Sequence, residues 1–191
     1  MDKTLFKLGS MRGESIIPFR YSDRFKIEKT TGPDRLCIGV DEAQISLLRK
    51  LASSLPAPYY VLYVLHTSRG GNELGRYQSP ALDFDALNDF MAEFCDFLTN
   101  DARHDMWVHA PKAGATLVWD RHDLMYAYGP LERFRAVLKE SAKEGELNGP
   151  PDPHVHMYHA EYDDSEGTLL HYFELSCSPL RASDEQFPSG Q

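Results

Sequence analysis

HDMWVHAPKAGATLVWDRHDLMYAY, residues 104–128, decides the fold. It holds three short runs rich in β-formers, at 106–109, 116–119 and 124–128. Only Asp120-Arg121-His122-Asp123, four ordinary turn residues, separates the last two. A connection that short joins antiparallel neighbours, because parallel ones need a crossover of a dozen residues or more.

Working outward, Tyr59-Tyr60-Val61-Leu62-Tyr63-Val64-Leu65 is apolar at every position. That pattern predicts a central strand covered on both faces. Residues 25–29 alternate apolar and polar, Thr31-Gly32-Pro33-Asp34 turns the chain, and 36–38 supply a return strand. A first helix follows, with Asp41 as N-cap, an apolar stripe of Leu48, Leu51, Ala52 and Leu55, and a stop at Pro56 and Pro58. The second helix spans about 82–99, where Phe84, Leu87, Phe90, Met91, Phe94, Phe97 and Leu98 share one face. Gly129-Pro130 opens the third, with Leu131, Phe134 and Leu138 turned inward and Gly145 ending it. After the breaker at 146–153, a hairpin is expected between 154–162 and 168–176. Interleaved helices and closely joined strands define an α+β domain, a mostly antiparallel sheet with three helices packed on it. It is expected to occupy 1–178, with 1–32 largely unassigned and 179–191 a flexible tail.

Charge narrows the function. The 191 residues carry 20 Lys and Arg against 29 Asp and Glu, a formal net charge of −9. Residues 1–50 are net +3 and the remainder net −12. Residues 82–101 hold six carboxylates and no Lys or Arg. Nucleic acid is an unsuitable partner for such a chain, since phosphates call for compensating cations. No apolar run approaches a membrane span, and the first residues lack the apolar core of a secretory signal. Cys37, Cys95 and Cys177 are odd in number and far apart, so neither a disulfide framework nor a structural zinc site is expected. A reducing cytoplasm fits that pattern.

No complete catalytic constellation is present, and three readings of function follow. Asp85, Asp89, Glu93 and Asp96 fall on one side of the second helix, opposite its phenylalanines. Like charges at i,i+4 are mutually destabilising and are normally relieved by interspersed Lys. The first reading is therefore a non-enzymatic binding module whose acidic stripe receives a basic partner. A bacterial immunity protein neutralising a toxin has that general character, and this reading involves no cofactor. The second reading is a metal-dependent enzyme. His154-Val155-His156-Met157-Tyr158-His159 places His154 and His156 on one strand face, where both reach one divalent transition metal. In the expected hairpin His156 faces Glu174, and His159 faces His171. The spacing from Gly149 through His154, His156 and Glu161 to Gly167 approaches the first signature of cupin barrels. However, the second signature is missing, and three helices do not suit that barrel. The third reading is a small anionic ligand held by the loop 68–80, through Arg69, the amides of Gly70 and Gly71, and Arg76, near aromatic residues such as Tyr77, Trp107 and Trp119.

Overall fold

The computed structural model describes residues 4–184. The N-terminal part forms β1 (Leu8–Arg12), β2 (Ser15–Pro18), β3 (Arg24–Glu28) and β4 (Arg35–Gly39). Helix α1 (Gln44–Ser53), β5 (Tyr60–Leu65), β6 (Gly75–Gln78) and the helices α2 (Phe84–Glu93) and α3 (Cys95–Asn100) follow. Next come β7 (His104–Ala110), β8 (Ala115–Trp119), β9 (Met125–Tyr128), α4 (Leu131–Leu138) and β10 (Lys143–Glu144). Then follow β11 (His154–His156), α5 (Asp163–Tyr172) and β12 (Ser176–Ser178). Nine strands join in the order β10-β3-β4-β9-β8-β7-β5-β6-β12, all antiparallel except the β10–β3 pair. A second sheet, β11-β1-β2, is also antiparallel. The architecture is thus α+β with a large, mostly antiparallel sheet.

Strand alternation divides the residues between two faces. One register row, Ile38–Met125–Trp119–Met106–Tyr63, turns toward the helices. There it meets Leu48 and Leu51 of α1, Phe90 and Met91 of α2, Phe97 of α3, Phe134 of α4 and Leu169 of α5. The adjacent row, Cys37–Tyr126–Val118–Trp107–Leu62, turns the other way. Leu8 of β1, Tyr21 and Leu147 cover its first part.

Several expectations change. Among the described residues there are five α-helices rather than three, partly because the helix expected at 82–99 breaks at Phe94, whose backbone (φ −101°, ψ 16°) leaves the helical region. Asp83, not a residue of α1, makes a side-chain N-cap, accepting from the Ala86 amide at 2.8 Å. Asp41 caps nothing; α1 begins after Ala43, held at φ 65°. Loop 68–80 contains β6, an internal strand between β5 and β12. Strand β5 is internal as expected, but Tyr60 and Leu62 remain half-buried on its second face.

The largest change lies at the C-terminal hairpin. Residues 163–172 are helical, and β11 pairs with β1, so that His156 faces Leu8 and His154 faces Ser10. The first turn of α5 carries Asp163, Asp164 and Glu166, which complement the positive end of the helix dipole. Leu169, fully buried, anchors the helix in the main core. These two effects outweigh the β-formers at 168–176. Of the segment expected as a tail, 179–184 are described, with Asp184 paired to Arg76; 185–191 lie outside the described residues.

Candidate metal centre

Pairing β11 with β1 carries His154 and His156 to the turn between β8 and β9, where His122 waits. One nitrogen from each of the three rings lies within 4.8 Å of the other two. Ring centroids are 5.3 Å apart for His122 and His154, 4.7 Å for His122 and His156, and 5.2 Å for His154 and His156. Imidazole nitrogens on one ion, at about 2.0–2.1 Å from it, sit no more than about 4 Å from each other. On a tetrahedral ion the spacing is nearer about 3.3 Å, so ring movements of about 1–1.5 Å close the three on a metal.

The surroundings prepare these rings as ligands. His122 Nδ1 stands 3.2 Å from Asp120 Oδ2, and Asp120 Oδ1 also accepts the amides of His122 and Leu124. Donating Nδ1–H to the carboxylate leaves the Nε2 lone pair for a metal. His154 Nδ1 is 3.1 Å from the Pro151 carbonyl, which selects the same tautomer. His156 Nε2 is buried with no hydrogen-bond partner among the described residues. Burial, together with the charges of His122, Arg121 and His154, pushes the His156 pKa down to about 3. That ring is neutral at physiological pH, as a ligand must be. Burial opposes protonation of His122 as well, but the hydrogen bond and charge of Asp120 outweigh it and raise its pKa.

Behind the triad lies an unusual concentration of buried charge. Asp101, Asp105, Asp120 and Lys7 are each no more than 2% exposed. Asp105 Oδ2 lies 3.1 Å from His66 Nε2, while its Oδ1 accepts the Arg121 amide and so ties β7 to the histidine turn. Burial raises the Asp105 pKa. Lys7 Nζ sits 3.9 Å over the Trp119 ring. Burial lowers its proton affinity against the pull of Asp123, Asp120, Asp105 and Asp101. Asp123 accepts from Trp119 Nε1 at 2.8 Å and Gln44 Nε2 at 2.9 Å, and burial pushes its pKa up to about 6. Such groups cost several kcal/mol each to bury unless compensated, and they gather where chemistry needs them.

The structure distributes the other sequence candidates as follows. Glu174 does not join His154 and His156, because α5 replaces the hairpin that would have brought it there. His159 is buried with Nε2 2.9 Å from the Phe6 carbonyl, whereas His171 is exposed on α5, so the two do not face each other. The Gly/Arg loop forms no common cradle. Arg69 binds Asp163 at 3.1 Å, and Ser68 and Asn72 bond to Glu166, pinning the loop to α5. Gly70 and Gly71 lie in that pinned stretch, while Arg76 lies against Trp107 on the sheet's other face. Asp85, Asp89, Glu93 and Asp96 are all exposed on α2 and α3. Sequence reasoning did not bring His122 to His154 and His156, nor Asp120, Asp105, His66 and Lys7 around them. The one sequence signal was the concentration of Asp and His in the 120–123 turn.

Comparison of the chain with protein-family models, curated proteins and solved structures found no match. Among the described residues no helix is long and apolar enough to cross a membrane.

Proposed function

We propose that the chain is a metal-dependent enzyme whose centre is a divalent transition metal held by His122, His154 and His156. The observation that carries this reading is the convergence of three imidazoles from two distant segments. The tautomers of two are set by outer partners, and the third is left unpartnered. Three neutral nitrogen ligands suit zinc or a neighbouring first-row ion. Such a set leaves a coordination position for water, whose pKa a bound zinc lowers to about 7, so the chemistry it supplies is hydrolysis or hydration. A wholly structural site closes with four protein ligands instead.

Elemental analysis of the purified chain and titration of chelator-treated protein with Zn²⁺ and Co²⁺ test the reading. One ion per chain is expected, with the visible absorption of four- or five-coordinate Co²⁺. Stoichiometric binding should disappear in His122→Ala, His154→Ala and His156→Ala. Failure to take up either ion, or undiminished uptake by all three variants, would overturn it.

A second reading concerns a different surface. We propose that Asp85, Asp89, Glu93 and Asp96 receive a basic protein partner, in the manner of an immunity protein. Its support is that all four are exposed and none is in an ion pair among the described residues. Opposite charge across such a contact speeds encounter and makes it salt-dependent. Capture of a basic partner from the native host should fall when the four are changed to Asn or Gln. Equal capture by this variant would remove the reading.

A further inference from the structure

The sheet face turned away from the helices is covered only in part. Leu8, Tyr21 and Leu147 pack over Cys37, Tyr126 and Val118; the same register row runs on through Trp107, half-buried at the edge of that cluster, to Leu62, which lies outside it. There Tyr60, Leu62, Trp107, Arg76, His109 and Thr116 are among the residues lining a groove of about 470 Å³. Its size falls within the usual range for small-molecule sites, and its lining is divided evenly between aromatic or apolar residues and polar ones.

Its lining is basic where the molecule is acidic, with the Arg76 guanidinium balanced by Asp184. In a chain of net charge −9, the groove wall holds Arg76 and His109 and, among the described residues, no carboxylate. The Arg76 guanidinium stands 5.7 Å from the Trp107 ring centroid and is fixed from behind by Asp184. Burial lowers the proton affinity of Arg76, and a second nearby cation, Arg181, lowers it further. The Trp107 Nε1–H is buried with no acceptor among the described residues. An orphaned donor of this kind is destabilising until an acceptor reaches it.

We propose that this groove binds a planar aromatic anion of the aryl carboxylate class, its ring against Trp107 and its charge toward Arg76. Leu62 and Tyr60 supply the apolar floor, and Trp107 supplies both a stacking face and an indole donor. The site shares a sheet face with Asp105 but none of its lining residues belongs to the histidine triad, so it stands or falls apart from the metal reading.

Calorimetric titration of the full chain with 1-naphthoate tests the proposal. Saturable one-to-one binding is expected, weakened at least tenfold by Trp107→Leu and unchanged by His154→Ala. The uncharged analogue 1-naphthalenemethanol should bind at least fivefold more weakly. Leu62→Glu, which places a carboxylate at a half-buried groove position, should abolish binding while leaving the melting transition in place. This keeps the test valid if Trp107→Leu fails to fold. Absence of saturable binding, equal affinity for the two naphthalenes, or full binding by Leu62→Glu would overturn the proposal. So would a concentration-dependent dimer that Leu62→Glu dissociates, since a second copy would then fill the groove.

Discussion

Asp120 holds His122 at both ends. Its Oδ1 accepts the backbone amide of His122 at 3.0 Å, and its Oδ2 lies 3.2 Å from the ring Nδ1. One buried carboxylate therefore shapes the β8–β9 turn and selects the tautomer that leaves the Nε2 lone pair available.

Asp120→Asn separates those two tasks. The Asn oxygen retains the amide bonds to His122 and Leu124, so the turn is kept. The Asn nitrogen is a donor and opposes Nδ1–H, which favours the tautomer with its proton on Nε2. Metal affinity should fall about 10–100-fold, as it does for lost outer partners elsewhere. Competition titration against a chelating dye measures it, with circular dichroism confirming the fold. Unchanged affinity in a folded variant would show that Asp120 serves the turn alone.

Arg103, just before β7, ties α5 to the sheet. It is 0% exposed and contacts Asp101 through two nitrogens at 2.8 and 3.0 Å, Glu166 at 2.7 Å and the His159 carbonyl at 2.9 Å. Replacing it with Met leaves Asp101 and Glu166 buried without their cation. Breaking one partner from a buried pair costs about 3–5 kcal/mol. Denaturant unfolding should show a midpoint lowered accordingly, and a loss under about 1 kcal/mol would mean that water re-enters the network freely.

The fold was legible where local chemistry and tertiary packing agree. Asp120-Arg121-His122-Asp123 marked an antiparallel turn, and that turn joins β8 to β9 as read. Reading failed where distant packing decides. Nothing local tells His156 to face Leu8 rather than Glu174, because the β1–β11 pairing spans more than 140 residues. Segment 163–172 contains both turn formers and β-formers, and only burial of Leu169 with the acids of its first turn resolves it as a helix. The candidate centre was half visible for the same reason. His154 and His156 share a strand, whereas His122 joins them only through the β1–β11 sheet. Lys7 belongs to a stretch with no readable period, and its value lies entirely in the aspartates around it.

His104 gives a pH dependence of definite sign. It is fully buried between Tyr63 and Phe97, with ring centroids 4.9 and 4.8 Å away. Burial, reinforced by the charges of Lys7, Arg103 and His66, holds its pKa well below 6.5. As pH falls below 6.5, the unfolded chain takes up a proton that the folded chain refuses, so this contribution lowers stability in acid and is constant above that range. His104→Phe removes it. Relative to that variant, metal-free wild-type protein should lose about 2 kcal/mol between pH 7 and pH 5. Unfolding curves that run parallel over that interval would rule the effect out.

Gly39 links the packing of the two layers to the histidine turn. A Cβ there would lie 2.7 Å from Tyr21 Cβ and 2.8 Å from Leu147 Cδ1. Leu147 has a movable end, but Tyr21 Cβ is fixed to its backbone, so Gly39→Ala forces the covering layer outward. Overpacking of this kind costs about 1–3 kcal/mol. Tyr21 also donates its hydroxyl to the His122 carbonyl at 3.0 Å, so its displacement loosens the turn that presents the ring. Gly39→Ala should therefore lower both the unfolding midpoint and the metal affinity. Tyr21→Phe, which keeps the ring and removes the hydroxyl, should lower the affinity with a smaller loss of stability. Gly39→Ala protein that melts early yet binds metal as tightly as wild type would show that the turn keeps its shape without the covering layer.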